Sequence, residues 1–270
     1  MTFFAAAVLG AILGSFINAL SFRYNTGRSI VRGRSRCMHC GHTLEARDLV
    51  PIFSYLCLRG HCRLCGTHIS AQYPLVEVAA AALSLGVYIL YPTPLYYTIF
   101  LLVWLVILFI VVYDLRHTVI PWPSSGLLAL LAFASLFLFG VPTLPALLAG
   151  PLLALPLFLL SLVSAGRWMG WGDSAFELSL GWLLGATAGL SALALAVWSG
   201  ALVGVMLMSL SKWCTPLGIR STGAAKKSFF LSLTGFTMNS EIPFAPFLAL
   251  GAALVFFFHV DFLSTLSALW

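Results

Sequence analysis

Long apolar segments are the feature that most constrains how this chain of 270 residues can fold. The hydrocarbon core of a bilayer is about 30 Å thick, and a helix needs about 20 apolar residues to cross it. Hydrophobic residues make up 61% of the chain and charged residues only 8%, whereas a soluble domain carries about 25% charged residues. This composition excludes an ordinary soluble enzyme, a disordered chain and a fibrous protein.

Eight segments are apolar enough to be candidate membrane spans, although the sixth is short and contains Glu177. They are Phe3–Phe22, Tyr73–Tyr91, Leu95–Tyr113, Ser124–Phe139, Leu144–Ala165, Ser174–Ala188, Leu190–Leu210 and Pro243–Val260. The first has no basic region before it, so we interpret it as a retained span rather than a signal peptide. The predicted fold is an all-α polytopic membrane protein of about eight transmembrane helices.

The basic residues predict the orientation of the chain. Its formal net charge is +6, and the basic connections between these spans all fall on one face of the membrane. They carry Arg23, Arg28, Arg32, Arg34, Arg36, Arg47, Arg59, Arg63, Arg116, Arg167, Lys212, Arg220, Lys226 and Lys227. The positive-inside rule places this face in the cytoplasm and both termini outside it. We therefore predict a multi-pass membrane protein that contacts lipid and has no nucleic-acid partner.

Four cysteines mark a small polar domain between the first two spans. They form two CxxC pairs, each followed by glycine, with 21 residues between the pairs: Cys37, Cys40, Cys62 and Cys65. Two such knuckles predict a tetrahedral site of four thiolates, which suits Zn²⁺. A closed site of this kind is structural, and the metal would stabilise a domain too small to fold on its core alone. Cys57 and Cys214 have no partner at metal spacing.

Two aspartates are candidate catalytic residues. Asp114 ends the third predicted span and Asp173 opens the sixth, within Gly170-Trp-Gly172-Asp173. The predicted topology puts both at the cytoplasmic edge of the bilayer, where charged groups are functional candidates. A close pair of carboxyl groups shares one proton, so one member can activate water while the other polarises a peptide carbonyl. The alternative is that each aspartate caps a helix or pairs with a nearby arginine.

Ordered motifs along most of the chain resemble a known family. They are Gly14-Ser-Phe-Ile-Asn18 with Arg23, the two cysteine knuckles, Tyr73-Pro-Leu-Val-Glu77, the Asp114 to Pro121 segment, the GxGD motif and Pro243-Phe-Ala-Pro-Phe-Leu-Ala-Leu250. Together they resemble the bacterial type IV prepilin peptidases (leader peptidase and N-methyltransferase), which are GxGD-type intramembrane aspartic proteases.

The resemblance implies that Asp114 and Asp173 are catalytic and that Gly170 and Gly172 support them. It also implies methyl transfer from S-adenosylmethionine to the new N-terminal amine, associated with the cytoplasmic N-terminal half. The sequence has no glycine-rich nucleotide loop, so the methyl transfer rests on the resemblance alone. The resemblance also implies a bacterial cytoplasmic (inner) membrane location and type IV prepilin or pseudopilin substrates. Glu77 and Glu177 are candidate contacts for the basic leaders of these substrates, and the alternative for both is a polar contact within the helix bundle.

Three positions depart from the family pattern. Ala175 stands where the family usually has lysine, and Arg116 and Trp122 stand where it often has acidic residues. Because these changes alter the charge around the two aspartates, the pH optimum of the pair does not follow from the family pattern. They also keep an alternative open, in which the chain is a catalytically altered zinc-knuckle membrane scaffold. A proton-coupled transporter fits less well, because transporter sites lie near the midplane of the membrane.

The predicted organisation has three parts. Residues 1–22 form the first transmembrane helix, residues 23–72 form the cytoplasmic zinc-binding domain associated with methyl transfer, and residues 73–270 form a transmembrane peptidase domain of seven helices.

Overall fold

The computed structural model describes residues 2–26, 29, 34–167, 169–214 and 243–261, and most of this chain is helical. The helices are α1 Phe3–Arg23, α2 Phe53–Cys57, α3 Gln72–Leu90, α4 Pro94–His117, α5 Trp122–Ser135, α6 Leu144–Val163, α7 Trp171–Leu184, α8 Ala186–Cys214 and α9 Ala245–Phe258. The described residues contain no β-strand, only two isolated bridges. Most of residues 211–242, which carry Lys212, Arg220, Lys226 and Lys227 of the predicted cytoplasmic face, lie outside the described residues.

The helices confirm the predicted class of an all-α polytopic membrane protein. Among the described residues, six helices are long and apolar enough to cross a membrane, namely α1, α3, α4, α5 with the 3₁₀ turn after it, α6 and α8. The other two predicted spans correspond to α7 and α9, which have 14 residues each and are therefore about 21 Å long. Large apolar side chains are exposed on the longer helices, for example Leu102 on α4, Leu130 on α5 and Leu152 on α6. Such surfaces suit lipid rather than water.

Several helix ends differ from the predicted spans by up to four residues, and the boundary between α7 and α8 has a clear cause. The sixth span is predicted as Ser174–Ala188, but α7 ends at Leu184 because Gly185 adopts a φ of +84° and α8 begins at the next residue. A left-handed glycine is a common end to a helix, since it has no side chain to clash. The uninterrupted apolar sequence across this glycine concealed the boundary.

The chain divides into two compact units, residues 1–112 and 113–270. In the first unit, glycines on α1 bring its backbone against α3. A Cβ atom on Gly10 would lie 2.5 Å from the carbonyl oxygen of Ala80, and one on Gly14 would lie 2.9 Å from the Cα of Glu77. This GxxxG spacing is typical of closely packed helices in membranes. The buried Ser84 hydroxyl reinforces the contact by donating a hydrogen bond to the Ala6 carbonyl at 2.6 Å.

We expect Gly10→Ala to destabilise the protein by about 1–3 kcal/mol, because the added methyl group overpacks the contact with the α3 backbone. The measurement is the thermal unfolding midpoint in detergent. Gly126→Ala is the matched control, since a Cβ atom there meets nothing within 4 Å. An equal midpoint for the two variants would contradict the close approach of α1 and α3.

The second unit uses the same device between α6 and α7. A Cβ atom on Gly181 would lie 2.7 Å from the Cα of Gly150. The indole N–H of Trp182 donates to the Leu147 carbonyl at 2.9 Å, which fixes the two helices along their length. Farther along the chain, the Ser191 hydroxyl on α8 donates to Asp261 beyond α9 at 2.7 Å. The contacts of Gly181 and Trp182 with α6 hold α7, which carries Asp173, in a fixed position within this unit.

Candidate active site and metal site

The four predicted metal ligands come together in the first unit. The Sγ atoms of Cys37, Cys40, Cys62 and Cys65 all lie within 4.8 Å of one another, and the Cys37 and Cys65 sulfurs are 3.9 Å apart. Four sulfurs at about 2.3 Å from a tetrahedral zinc ion would be about 3.8 Å apart. The four cysteines therefore form a cluster that fits Zn²⁺ in both ligand type and spacing.

Both knuckles are built by the same backbone hydrogen bonds. In the first, the Cys37 amide donates to the His42 carbonyl and the Gly41 amide donates to the Cys37 carbonyl. In the second, the Cys62 amide donates to the Thr67 carbonyl and the Gly66 amide donates to the Cys62 carbonyl. The two glycines have φ values of +69° and +65°, which let the chain turn sharply back past each pair of thiols.

The charges of the thiols show why a cation suits this cluster. Hydrogen bonds with the side chain and backbone of Thr67 lower the pKa of Cys65 to about 6. The backbone of His42 favours the Cys40 thiolate, but desolvation and the neighbouring Cys37 and Cys65 outweigh it and raise the pKa of Cys40 to about 11. Four adjacent thiolates repel one another, so a bound divalent cation is what allows all of them to ionise.

An ion pair links the second knuckle to the segment between the two knuckles. The Arg63 guanidinium donates to Asp48 at 2.8 and 2.9 Å. Burial raises the pKa of Asp48, but the bonds from Arg63 and from the Glu45 amide outweigh this effect and hold it below its ordinary value. This pair positions the 3₁₀ turn Ala46–Asp48 against the cluster.

The two predicted catalytic aspartates both lie in the second unit. Asp114 is in the last turn of α4 and is only 4% exposed. Its carboxylate accepts a hydrogen bond at 3.2 Å from the Ala245 amide, at the first residue of α9. The positive end of a helix dipole stabilises a carboxylate in this position. The Asp114 and Asp173 carboxylates lie close enough to repel each other electrostatically.

The GxGD motif fixes Asp173 at the start of α7. Its carboxylate accepts a hydrogen bond from the Gly170 amide at 3.1 Å, which satisfies a donor at the helix N-terminus. Gly172 is required by a close approach, because a Cβ atom there would lie 2.7 Å from the Cβ of Ile120. Ile120 follows α4, so this contact brings the segment after Asp114 against the start of α7.

The two predicted leader-contact glutamates have different surroundings. Glu77 on α3 is 7% exposed and accepts a hydrogen bond from the Ile52 amide at 2.7 Å. Glu177 is fully buried on α7, one helical turn after Asp173, and neither carboxyl oxygen has a hydrogen-bond partner among the described residues. Buried carboxyl groups are costly unless they are paired, and among the described residues of the second unit Glu177 is the buried side chain whose polar atoms lack partners.

Two site residues were missed by sequence analysis. Ala245 and Ile52 act through their backbone amides, which hold Asp114 and Glu77. A backbone donor leaves no signal in side-chain chemistry. The only hint was the resemblance of the Pro243 to Leu250 segment to a family motif, which marked a segment without giving it a role.

The first unit also contains a cavity of about 990 Å³. Its lining includes Ser15, Phe22, Arg23, Tyr73 and Glu77 from the helices, and residues of the cysteine domain such as Tyr55. The second unit has a shallower and almost wholly apolar groove of about 300 Å³, lined by Trp122, Trp171 and Ala175 among others.

The fold and the site define a multi-pass helical membrane protein with a cluster of four cysteines that fits a metal ion and with two neighbouring aspartates, of which Asp114 is buried and Asp173 is partly exposed. The family description "Bacterial Peptidase A24 N-terminal domain" matches residues 8–91. The chain is 30% identical over 293 residues to the prepilin leader peptidase/N-methyltransferase of Burkholderia pseudomallei (strain K96243), covering 95% of this chain and 85% of that protein.

Two further relatives carry the same name. The Bacillus subtilis (strain 168) protein is 29% identical over 265 residues, with 95% of this chain and 94% of the relative covered. The Myxococcus xanthus (strain DK1622) protein is 33% identical over 220 residues, with 74% of this chain and 62% of the relative covered. No solved structure matches the chain significantly. The chain belongs to the bacterial prepilin leader peptidase/N-methyltransferase family, as its motifs predicted.

Proposed function

We propose that this chain is a prepilin leader peptidase with Asp114 and Asp173 as its catalytic pair. The observation that carries the proposal is that the start of α7, where Asp173 lies, packs through Gly172 against Ile120, in the segment that follows Asp114. The two carboxylates, from different helices, are then close enough to interact electrostatically. Each is held by one backbone amide, which leaves further oxygen lone pairs for water and substrate. The names of the relatives support prepilins as the substrates.

In the proposed reaction the charged aspartate takes a proton from a water molecule, and the oxygen of that water attacks the scissile carbonyl carbon. The protonated partner donates a hydrogen bond to that carbonyl and then protonates the leaving nitrogen as the C–N bond breaks. The products are a leader with a new carboxylate and a mature chain with a new amine. No further co-reactant is required, because water supplies all the atoms added.

The proposed substrate has a basic leader in the cytoplasm and an apolar helix in the membrane, with cleavage where the two meet. We place the aspartate pair at the cytoplasmic edge of the bilayer, on the basis of the positive-inside pattern. Glu177 is a candidate contact for the basic leader, although its complete burial means that α7 would have to move for the two to meet. Glu77 is held by Ile52 and lines a cavity, which favours ligand binding over leader contact.

We assign the second activity, N-methylation of the new amine, to the N-terminal part of the chain that contains residues 23–72. When bound, S-adenosylmethionine supplies a methyl group that leaves its sulfonium sulfur for the amine nitrogen, with the loss of one proton from the ammonium form of the amine. The cysteine cluster has no open ligand position once four thiolates hold zinc, so we assign it a structural role.

Mass spectrometry of a co-expressed prepilin tests this function. With the wild-type enzyme we expect the substrate to lose its leader and to gain one methyl group at the new terminus. Loss of the leader without gain of a methyl group would show that the chain has peptidase activity and no methyltransferase activity. An uncut substrate would contradict the proposal, provided that a prepilin peptidase of known activity cuts the same substrate in parallel.

We expect Gly172→Ala to lower the rate of leader cleavage by about 10²-fold, because a displacement of about 1 Å in a catalytic group has effects of this size. The added Cβ atom would push against Ile120 and shift Asp173 at the start of α7. The measurement is the initial rate of cleavage by the purified variant, with Gly126→Ala as the control for a glycine in open space. Wild-type rates for both variants would overturn this role of Gly172.

A further inference from the structure

The cavity of the first unit has the features of a small-molecule site that peptide hydrolysis does not use. Its volume of about 990 Å³ is at the upper end of the range of about 300–1,000 Å³ for such sites. It lies between the start of α3, the end of α1 and the cysteine domain, so both helices and the metal cluster position its walls. Its lining combines aromatic, acidic and basic side chains.

An aromatic pair forms one part of the lining. The rings of Phe22 and Tyr73 are stacked, with centroids 5.2 Å apart and an interplanar angle of 8°. Phe22 lies near the end of α1 and Tyr73 near the start of α3, so the pair is fixed by two packed helices. Flat aromatic surfaces of this kind stack on planar heterocycles such as purines.

Two acidic side chains, Asp48 and Glu77, line the cavity, and Asp48 already pairs with Arg63. The Ile52 amide donates to the Glu77 carboxylate at 2.7 Å, and the Ser15 side chain also hydrogen-bonds it. Ile52 adopts a φ of +64° to make this contact. A positive φ in a β-branched residue costs about 1–3 kcal/mol and is found mainly where a site requires it. A carboxylate held in a largely buried position attracts a cationic ligand group strongly.

Arginines supply the opposite charge. Arg23, Arg34 and Arg36 line the same cavity. Guanidinium groups bind carboxylates in a forked, two-bond geometry. The cavity therefore offers a stacking surface, a site for a cation and a site for a carboxylate.

We propose that this cavity binds S-adenosylmethionine, with Glu77 facing its cationic part, the Phe22 and Tyr73 pair beside its purine and the arginines beside its carboxylate. S-adenosylmethionine is a zwitterion that carries a purine, a sulfonium, an ammonium and a carboxylate, and each of these groups has a counterpart in the lining. This assignment rests on the proposed methyl transfer and gives it a location and a set of residues.

Equilibrium binding of radiolabelled S-adenosylmethionine to the full-length, zinc-loaded protein in detergent tests the assignment. We expect Glu77→Gln to weaken binding at least tenfold, because it removes the negative charge and keeps the shape of the side chain. Glu45→Gln is the matched control, since Glu45 is an exposed carboxylate of the same domain that pairs with Arg47 and does not line the cavity. It should bind as the wild type does.

The zinc content of the Glu77→Gln protein shows whether its cysteine domain is still folded. A second variant tests the cavity without changing Glu77. Ala19 lines the cavity from α1, so Ala19→Phe should fill part of it and reduce binding at least tenfold while the Glu77 carboxylate is retained. Ala5→Phe is its control, because Ala5 is exposed on the same helix. Loss of binding in Ala19→Phe, with zinc retained, supports the assignment.

The outcomes separate this assignment from the proposed function. A wild-type protein that methylates a prepilin, with both cavity variants binding S-adenosylmethionine normally, overturns the cavity assignment alone. A wild-type protein that neither binds S-adenosylmethionine nor methylates a prepilin overturns the methyl transfer and the cavity assignment together. In that second case leader cleavage would still be measured by the mass of the product.

Discussion

Replacing Asp114 or Asp173 by asparagine is expected to lower the rate of leader cleavage by about 10²–10⁴-fold, which is the usual contribution of general acid–base catalysis. Asparagine keeps the size of the side chain and can still accept the bond from Ala245 or Gly170. It neither takes a proton from water nor gives one to the leaving nitrogen. The two variants should therefore be equally inactive while their thermal unfolding midpoints stay near that of the wild type. The initial rate of leader loss, measured by mass spectrometry, is the test.

Asp261→Asn is the matched control for these variants. Asp261 is also in the second unit and accepts a bond from Ser191, but it lies beyond the end of α9. Its substitution should leave cleavage unchanged. Full activity in either Asp114→Asn or Asp173→Asn would reject the catalytic pair. A folded wild type that leaves every tested prepilin uncut would instead favour the scaffold, with Ala175→Lys as the variant that restores the family residue.

Removing the metal is expected to unfold the cysteine domain while the helices remain. Structural zinc sites bind with about 10 kcal/mol or more of free energy, much of which is folding free energy in a small domain. Cys62→Ser should lose the metal, because Cys62 is the buried member of the cluster. The measurements are zinc content per chain and hydrogen exchange over residues 34–70. We expect low zinc and fast exchange in this segment, with little change in α6 and α7.

Cys57→Ser is the control for the metal site. Cys57 is an exposed free cysteine of the same domain that lies outside the cluster. This variant should keep its zinc and its slow exchange. Slow exchange over residues 34–70 in the metal-free Cys62→Ser protein would contradict a structural role for the metal.

Features encoded locally could be read from the sequence. The spans follow from runs of apolar residues, because a helix in lipid must be apolar over a fixed length. The knuckles follow from the spacing of Cys37, Cys40, Cys62 and Cys65, because a CxxC pair and its glycine form one turn whatever surrounds them. The order of motifs identified the family. The choice of Asp114 and Asp173 as the catalytic pair followed from the predicted membrane depth and remains a prediction.

Contacts between distant segments depended on the tertiary structure. The amide that holds Asp114 belongs to Ala245, 131 residues away, and the amide that holds Glu77 belongs to Ile52. A backbone donor is the same in every residue except proline, so only packing decides which one reaches a given carboxylate. The clash that makes Gly172 necessary likewise depends on where Ile120 is placed. Local chemistry therefore determined the candidate residues and the metal ligands, and helix packing decided which backbone groups hold them in place.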